Sequence, residues 1–126
     1  MVMLEIELKN ESGKKSAALA KAIAAKAAKI NSDGESYLVI RSQISGCGWS
    51  KSEYVTLTLE CGHFLADGSY KPRCVEFKIR ISDHDAKSTT HGDADHHIWL
   101  DDSWAMQKIQ AVAIALAWIE KQIKGL

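Results

Sequence analysis

From residue 2 the chain alternates with a period of two, Val2, Leu4, Ile6 and Leu8 against Met3, Glu5 and Glu7. That pattern predicts a strand with one buried face. Asn10, Glu11, Ser12 and Gly13 break the alternation, and Lys14 to Ile30 is rich in alanine with Leu19, Ile23 and Ile30 on one stripe, which predicts an amphipathic helix. Asn31 to Gly34 ends it. Tyr37–Gln43 is rich in β-forming residues, and period two returns in Tyr54–Cys61 with Val55, Leu57, Leu59 and Cys61 on one side, and in Cys74–Ser82 with Val75, Phe77, Ile79 and Ile81 on one side. These are three further strands. Asp67-Gly68 marks the turn of an antiparallel hairpin with Pro72 at its exit, and His96–Leu100 is a short fifth strand after a polar loop.

Asp101, Asp102 and Ser103 offer an N-cap to a last helix that runs to Lys124. The order is β-α-β-β-β-β-α. It predicts an α+β domain, a mostly antiparallel sheet with two helices packed on one face and the other face left to solvent or a partner. In the last helix Ala105, Ile109, Val112, Leu116, Ile119 and Ile123 recur at steps of four and three, the spacing of a core stripe. Ile114 and Trp118 are left on its flank, with Trp104 and Met106 to either side. Such residues suit a homodimer or a protein partner met through this helix, although Trp118 has the alternative of tucking under the first helix.

Composition narrows the function classes. The 126 residues are 46% hydrophobic and 25% charged, as expected of one ordered domain spanning 1–126. Lysine plus arginine equals aspartate plus glutamate, sixteen of each, so no net field steers the molecule toward nucleic acid or an anionic membrane. The acidic residues among the first eight do not read as a signal peptide, and Ile109–Ile119 is too short and too interrupted to span a membrane. No membrane partner is expected. Three cysteines, Cys47, Cys61 and Cys74, are an odd number without metal spacing, which fits free thiols and a cytoplasmic location.

The densest chemistry is Asp83-His84-Asp85 followed by His91, Asp93, Asp95, His96 and His97. Imidazoles and carboxylates are ligands for a divalent metal, and His84, His91, Asp93 and His97 converging with an open position would make a metal-dependent hydrolase or nuclease. The spacing matches no tight metal signature, and the same residue types suit a solvated or partner-contacting loop. No other cofactor is expected. Cys61-Gly62-His63 pairs a thiol with a base in sequence, but Cys61 continues a buried strand face and reads as packing. Gly46-Cys47-Gly48 lacks the helix-opening residues of a phosphate loop.

Lys14, Lys15, Lys21, Lys26 and Lys29 gather on the first helix, and Tyr37, Arg41, Tyr54, Lys78 and Arg80 share the polar sheet face. Rings interleaved with cations suit single-stranded nucleic acid. Glu60 and Glu76 lie on the same face, so nucleic-acid binding is expected to be weak and without sequence preference.

Residues 15–124, read as helix, three strands and helix, resemble the double-stranded-RNA-binding domain in topology. Where that family carries a basic cluster at the start of its second helix, this chain has Asp101-Asp102-Ser103-Trp104, so the phosphate-docking role does not carry over. The segment Arg80-Ile81-Ser82-Asp83-His84 resembles an Arg-Ile/Val-Ser-Asp-His signature of small uncharacterised proteins of phages and mobile elements. That resemblance implies genomic company and no activity. The expectation is a non-enzymatic binding protein, for instance an inhibitor of a host defence system, with Arg80, Asp83, His84, Asp85, His91, Ile114 and Trp118 at its contact surface.

Overall fold

A computed structural model describes residues 2–32, 36–45, 52–82, 94–100 and 103–123. The expected order of elements is present, in finer pieces. The first alternating run divides into β1 (Val2–Met3) and β2 (Glu5–Asn10), followed by α1 (Lys14–Ala27), β3 (Asn31–Ser32), β4 (Tyr37–Ser45), β5 (Ser52–Phe64), β6 (Tyr70–Ser82), β7 (His96–Trp99) and α2 (Trp104–Ile123). β1 and β3 form a small antiparallel pair, and the other strands form one sheet in the order β2-β4-β5-β6-β7.

The sheet is mixed. β4, β5 and β6 are antiparallel neighbours, whereas β2 runs parallel to β4 and β7 parallel to β6. A helix between β2 and β4 supplies the crossover that parallel neighbours require. β5 and β6 outrun the rest: Tyr37 of β4 pairs with Glu60, so residues 61–64 and 70–73 continue as a ribbon beyond it. At the turn Gly68 takes φ +86°, and the Asp67 carboxylate accepts from the Ser69 N–H (2.9 Å) and hydroxyl (2.6 Å), a local turn that only glycine enters without strain. Pro72 lies in this ribbon, opposite Gly62.

Both helices cover one face. Leu38 and Ile40, Val55, Leu57, Leu59 and Cys61, and Phe77, Ile79 and Ile81 form its buried rows with Leu19 and Ile23 of α1. The period-two reading therefore holds in every long strand. The stripe expected on α2 holds only in its later part, where Val112 and Ile119 are buried and Leu116 and Ile123 pack against the core. Ala111, Val112, Ala115 and Ile119 are buried, whereas Ile109 is 67% exposed and Ala105 lies outside. α1 and α2 touch, and the alanines on both, Ala20 and Ala27 with Ala111 and Ala115, are the residues sealed inside. Small side chains let two helices lie close, and that contact rotates α2 away from the orientation its larger residues would choose.

Three polar contacts fix the ends. Ser103 caps α2, its hydroxyl accepting from the Met106 N–H at 3.4 Å. The Gln107 side chain brackets Trp99, its Oε1 accepting the Trp99 N–H (3.0 Å) and its amide donating to the Trp99 carbonyl, so α2 ties down β7. At α1 the N-cap is Gly13, with φ +90° and no side chain to offer. Glu53, in the inward row of β5, takes the missing role: its Oε1 accepts from the Ser16 N–H (2.9 Å) and the Ser16 hydroxyl (3.0 Å). A carboxylate at a helix N-terminus also meets the favourable end of the helix dipole.

Candidate functional site

The helix-free face of the sheet gathers polar side chains from all five strands. Strand register sets Tyr54, Thr56, Thr58 and Glu60 of β5 opposite Arg80, Lys78, Glu76 and Cys74 of β6, and sets Arg80 and Ser82 beside His97 and Trp99 of β7. The corner made by Ser52, Tyr54, Arg80, Ser82, His97 and Trp99 is the densest polar cluster among the described residues.

Arg80 is only 1% exposed, and Ser52 and Ser82 are buried with it. Its Nε–H donates to the Ser52 hydroxyl at 2.9 Å, and its guanidinium carbon lies 5.9 Å from the Tyr54 ring centroid. A cation out of water costs several kcal/mol unless hydrogen bonds and charges compensate it. Arg80 is therefore a strand-tying residue, and its expected place at a contact surface is corrected by its burial. Tyr54 also receives Lys78, whose Nζ is 5.9 Å from the ring centroid.

Ser82 and His97 form the pairing with chemical interest. Ser82 Oγ lies 2.5 Å from His97 Nε2, and the imidazole stacks on Trp99 with centroids 3.9 Å apart and planes 15° from parallel. A hydroxyl beside an imidazole is the arrangement that activates a nucleophile. Here the hydroxyl is buried, and so is Arg80 on the same strand. The pair orients the imidazole and joins β6 to β7.

Of the metal ligands expected from sequence, His97 thus has Nε2 on Ser82, while His84, His91 and Asp93 lie outside the described residues, as do Asp83 and Asp85. No group of three or more potential metal ligands converges among the described residues. Asp95 is engaged locally, its Oδ2 accepting the Lys78 N–H at 2.9 Å. His96 is half-buried, and desolvation holds its imidazole below the ordinary histidine value.

On the rest of this face the side chains mostly satisfy one another. The Tyr37 hydroxyl donates to Glu7, Lys9 Nζ is 3.7 Å from Glu7 Oε1, and Arg41 Nε lies 2.9 Å from Glu11 Oε1 as an ion pair without hydrogen-bond alignment. Cys61 is buried, with its thiol pushed up by desolvation against the lowering effect of Arg73, and Cys74 is exposed; both are free thiols.

The helical side differs. Ile109 is 67% exposed, Met106 60% and Ile114 39%. Ala105, Gln110, Ala113 and Ala117 complete an outer face that is uncharged up to the exposed Glu120 and Lys121 of the last turn. Trp118 is half-buried, its ring 5.4 Å from that of Phe77 and tilted by 36°, so this indole packs on the sheet while Ile114 remains outside. Sequence reasoning left Met106 outside the core stripe but assigned Ile109 to the core, and so did not see the two as a solvent-facing pair three residues apart.

No helix among the described residues is long and apolar enough to cross a membrane. No protein-family model and no curated protein matches the sequence. Among solved structures the chain is similar to a minor lipoprotein from Acinetobacter baumannii, at 16% identity over 97% of this chain and 90% of that one, with a TM-score of 0.33; similarity at that level carries no argument about function.

Proposed function

We propose that the chain is a non-enzymatic binding protein that covers a surface of a protein partner with the outer face of α2. The observation that supports this reading is the exposure of Met106, Ile109 and Ile114 on a face that carries no charge before the exposed Glu120 and Lys121 of the last turn. Exposed contiguous apolar side chains mark interaction sites more often than they serve a monomer. The opposite side of the molecule is a weaker candidate, since its tyrosines and cations largely engage neighbouring side chains. The Arg-Ile-Ser-Asp-His resemblance suggests a phage or mobile-element setting, in which such a protein would act in the cytoplasm, for instance against a host defence system.

The test is co-purification from the source cells of the wild type and of Ile109→Glu. The reading expects one partner in stoichiometric amount with the wild type and its loss in a variant whose unfolding midpoint is unchanged, because the replaced side chain already lies in water. Equal recovery of the partner with Ile109→Glu would remove α2 as the contact face.

A further inference from the structure

The chain has no net charge, yet its charges are unevenly placed: Lys14 to Ile30 holds five lysines and no aspartate or glutamate. Lys14, Lys15, Lys21, Lys26 and Lys29 are all exposed. Among the described residues none of them makes an ion pair. The acids flanking the helix are occupied or face elsewhere. Glu53 accepts from Ser16, Glu11 pairs with Arg41, and Glu5 and Glu7 stand in the register rows of Tyr37 and Val39, on the helix-free face.

These lysines form two rows. At 3.6 residues per turn, Lys14 and Lys21 lie within about 20° of one another, Lys15 and Lys26 do likewise, and the two pairs stand about 120° apart. Ala18, Ala22 and Ala25 fill the crest between them, and Lys29 follows in the turn after the helix. Ala20 and Ala27, the residues sealed at the contact with α2, lie about 180° from that crest. Away from α2, α1 is thus a ridge with a low, uncharged top and cations down each flank.

We infer that this ridge binds the phosphate backbone of double-stranded DNA across the major groove. That groove is about 12 Å wide and admits an α-helix about 10–12 Å in diameter. Phosphates border it on both sides, so Lys14 and Lys21 meet one strand and Lys15 and Lys26 the other. The alanine crest lets the helix backbone approach the groove floor and has no donor or acceptor with which to read a base edge. Binding is therefore independent of sequence.

Other anionic partners fit the ridge less well. A membrane is flat, whereas the two rows point about 120° apart, and the large apolar side chains of α1, Leu19 and Ile23, are sealed in the core with nothing left to insert. An acidic protein would find no side chain larger than alanine among the lysines to anchor it. Duplex RNA has a major groove too narrow for side chains to enter, and single strands call for aromatic platforms, which α1 lacks. The outer face of α2 takes no part, so DNA and the protein partner proposed for that helix occupy separate surfaces.

Fluorescence anisotropy with short labelled DNA duplexes of two unrelated sequences tests this. Both should bind alike, and with four or five phosphates neutralised the affinity should fall on the order of a hundredfold or more between about 50 and 200 mM salt. Lys14→Gln with Lys21→Gln, and separately Lys15→Gln with Lys26→Gln, should each weaken binding about tenfold or more at the lower salt and reduce the log–log salt slope by about two. Unfolding midpoints should not fall, because these side chains lie in water. Lys71→Gln with Lys121→Gln, which removes two exposed lysines elsewhere, should change binding by less than about threefold, as should Ile109→Ser. DNA binding at this ridge is refuted by a wild type that binds neither duplex at the lower salt, by either flank pair proving dispensable, or by an equal loss in the Lys71 and Lys121 variant. It is also refuted if duplex RNA, single-stranded DNA or phosphatidylserine vesicles bind the wild type as tightly as the DNA duplexes do.

Discussion

Replacing Gly13 by alanine should cost far more than adding one methyl group to an exposed turn ordinarily does. The backbone there has φ +90°, a region that charges an L-residue about 1–2 kcal/mol. The added Cβ would also collide with Ser16 Oγ and Glu53 Oε1. Relief requires the Glu53 carboxylate to withdraw, and with it go the two hydrogen bonds that cap α1, a loss of about 1–2 kcal/mol by comparison with other caps. The total is about 2–4 kcal/mol, or a drop in urea midpoint of roughly 1 M or more. The assay is urea unfolding of the wild type, Gly13→Ala, Glu53→Ala and the double variant. In the Glu53→Ala background the Ser16 hydroxyl, no longer held by the carboxylate, can turn aside, and the same glycine substitution should cost only the backbone part, about 1–2 kcal/mol. A cost of Gly13→Ala below about 1 kcal/mol, or an identical cost with and without Glu53, would refute the remote cap.

Other consequences concern the core and the polar corner. Since burial depresses the pKa of His96, the unfolded chain binds that proton more readily; the stability contributed by neutral His96 is complete above about pH 6.5 and is lost as pH falls through the lower folded value. His96→Leu should flatten that decline in thermal melts, and parallel wild-type and variant profiles down to about pH 5 would contradict it. Arg80→Ala should destabilise by about 3–5 kcal/mol in denaturant titrations, through an emptied site and the loss of a buried hydrogen-bonded cation, whereas a change within about 0.5 kcal/mol would mean the guanidinium is not committed to the fold. Trp118→Ala should cost about 2–4 kcal/mol by losing its contact with Phe77, less than a fully buried indole because one side remains wet; no change in unfolding midpoint would return Trp118 to the surface.

Much of the fold was legible because the strands are strongly periodic. Val55, Leu57, Leu59 and Cys61 read as one buried face and are buried. The rotation of α2 was not legible, because alanines at 105, 111, 113, 115 and 117 carry the same signal whether inside or outside. Only the contact with α1 decides that Ala111 and Ala115 are sealed while Ile109 is not. Similarly, Arg80 stands at a polar position of its strand, and nothing local says that Ser52, 28 residues away, will accept from it in a buried setting. Glu53 carried a weak signal: it continues the inward row of β5 backward from Val55, and a carboxylate in such a row needs a donor. The double parallel pairing of the sheet follows from connections that exceed a hairpin turn, a feature that alternation within a strand does not encode. The loop residues Asp83, His84, Asp85, His91 and Asp93 lie outside the described residues.

The central claim, that α2 meets a protein partner through its outer face, is tested most directly by photo-crosslinking in the source cells with the reactive group placed at Ile109 and, as a control, at Thr56 on the helix-free face. The account predicts one protein adduct from position 109, displaced by excess unlabelled wild type, and none from position 56. Adducts confined to position 56, or adducts from 109 that contain nucleic acid in place of protein, would contradict it.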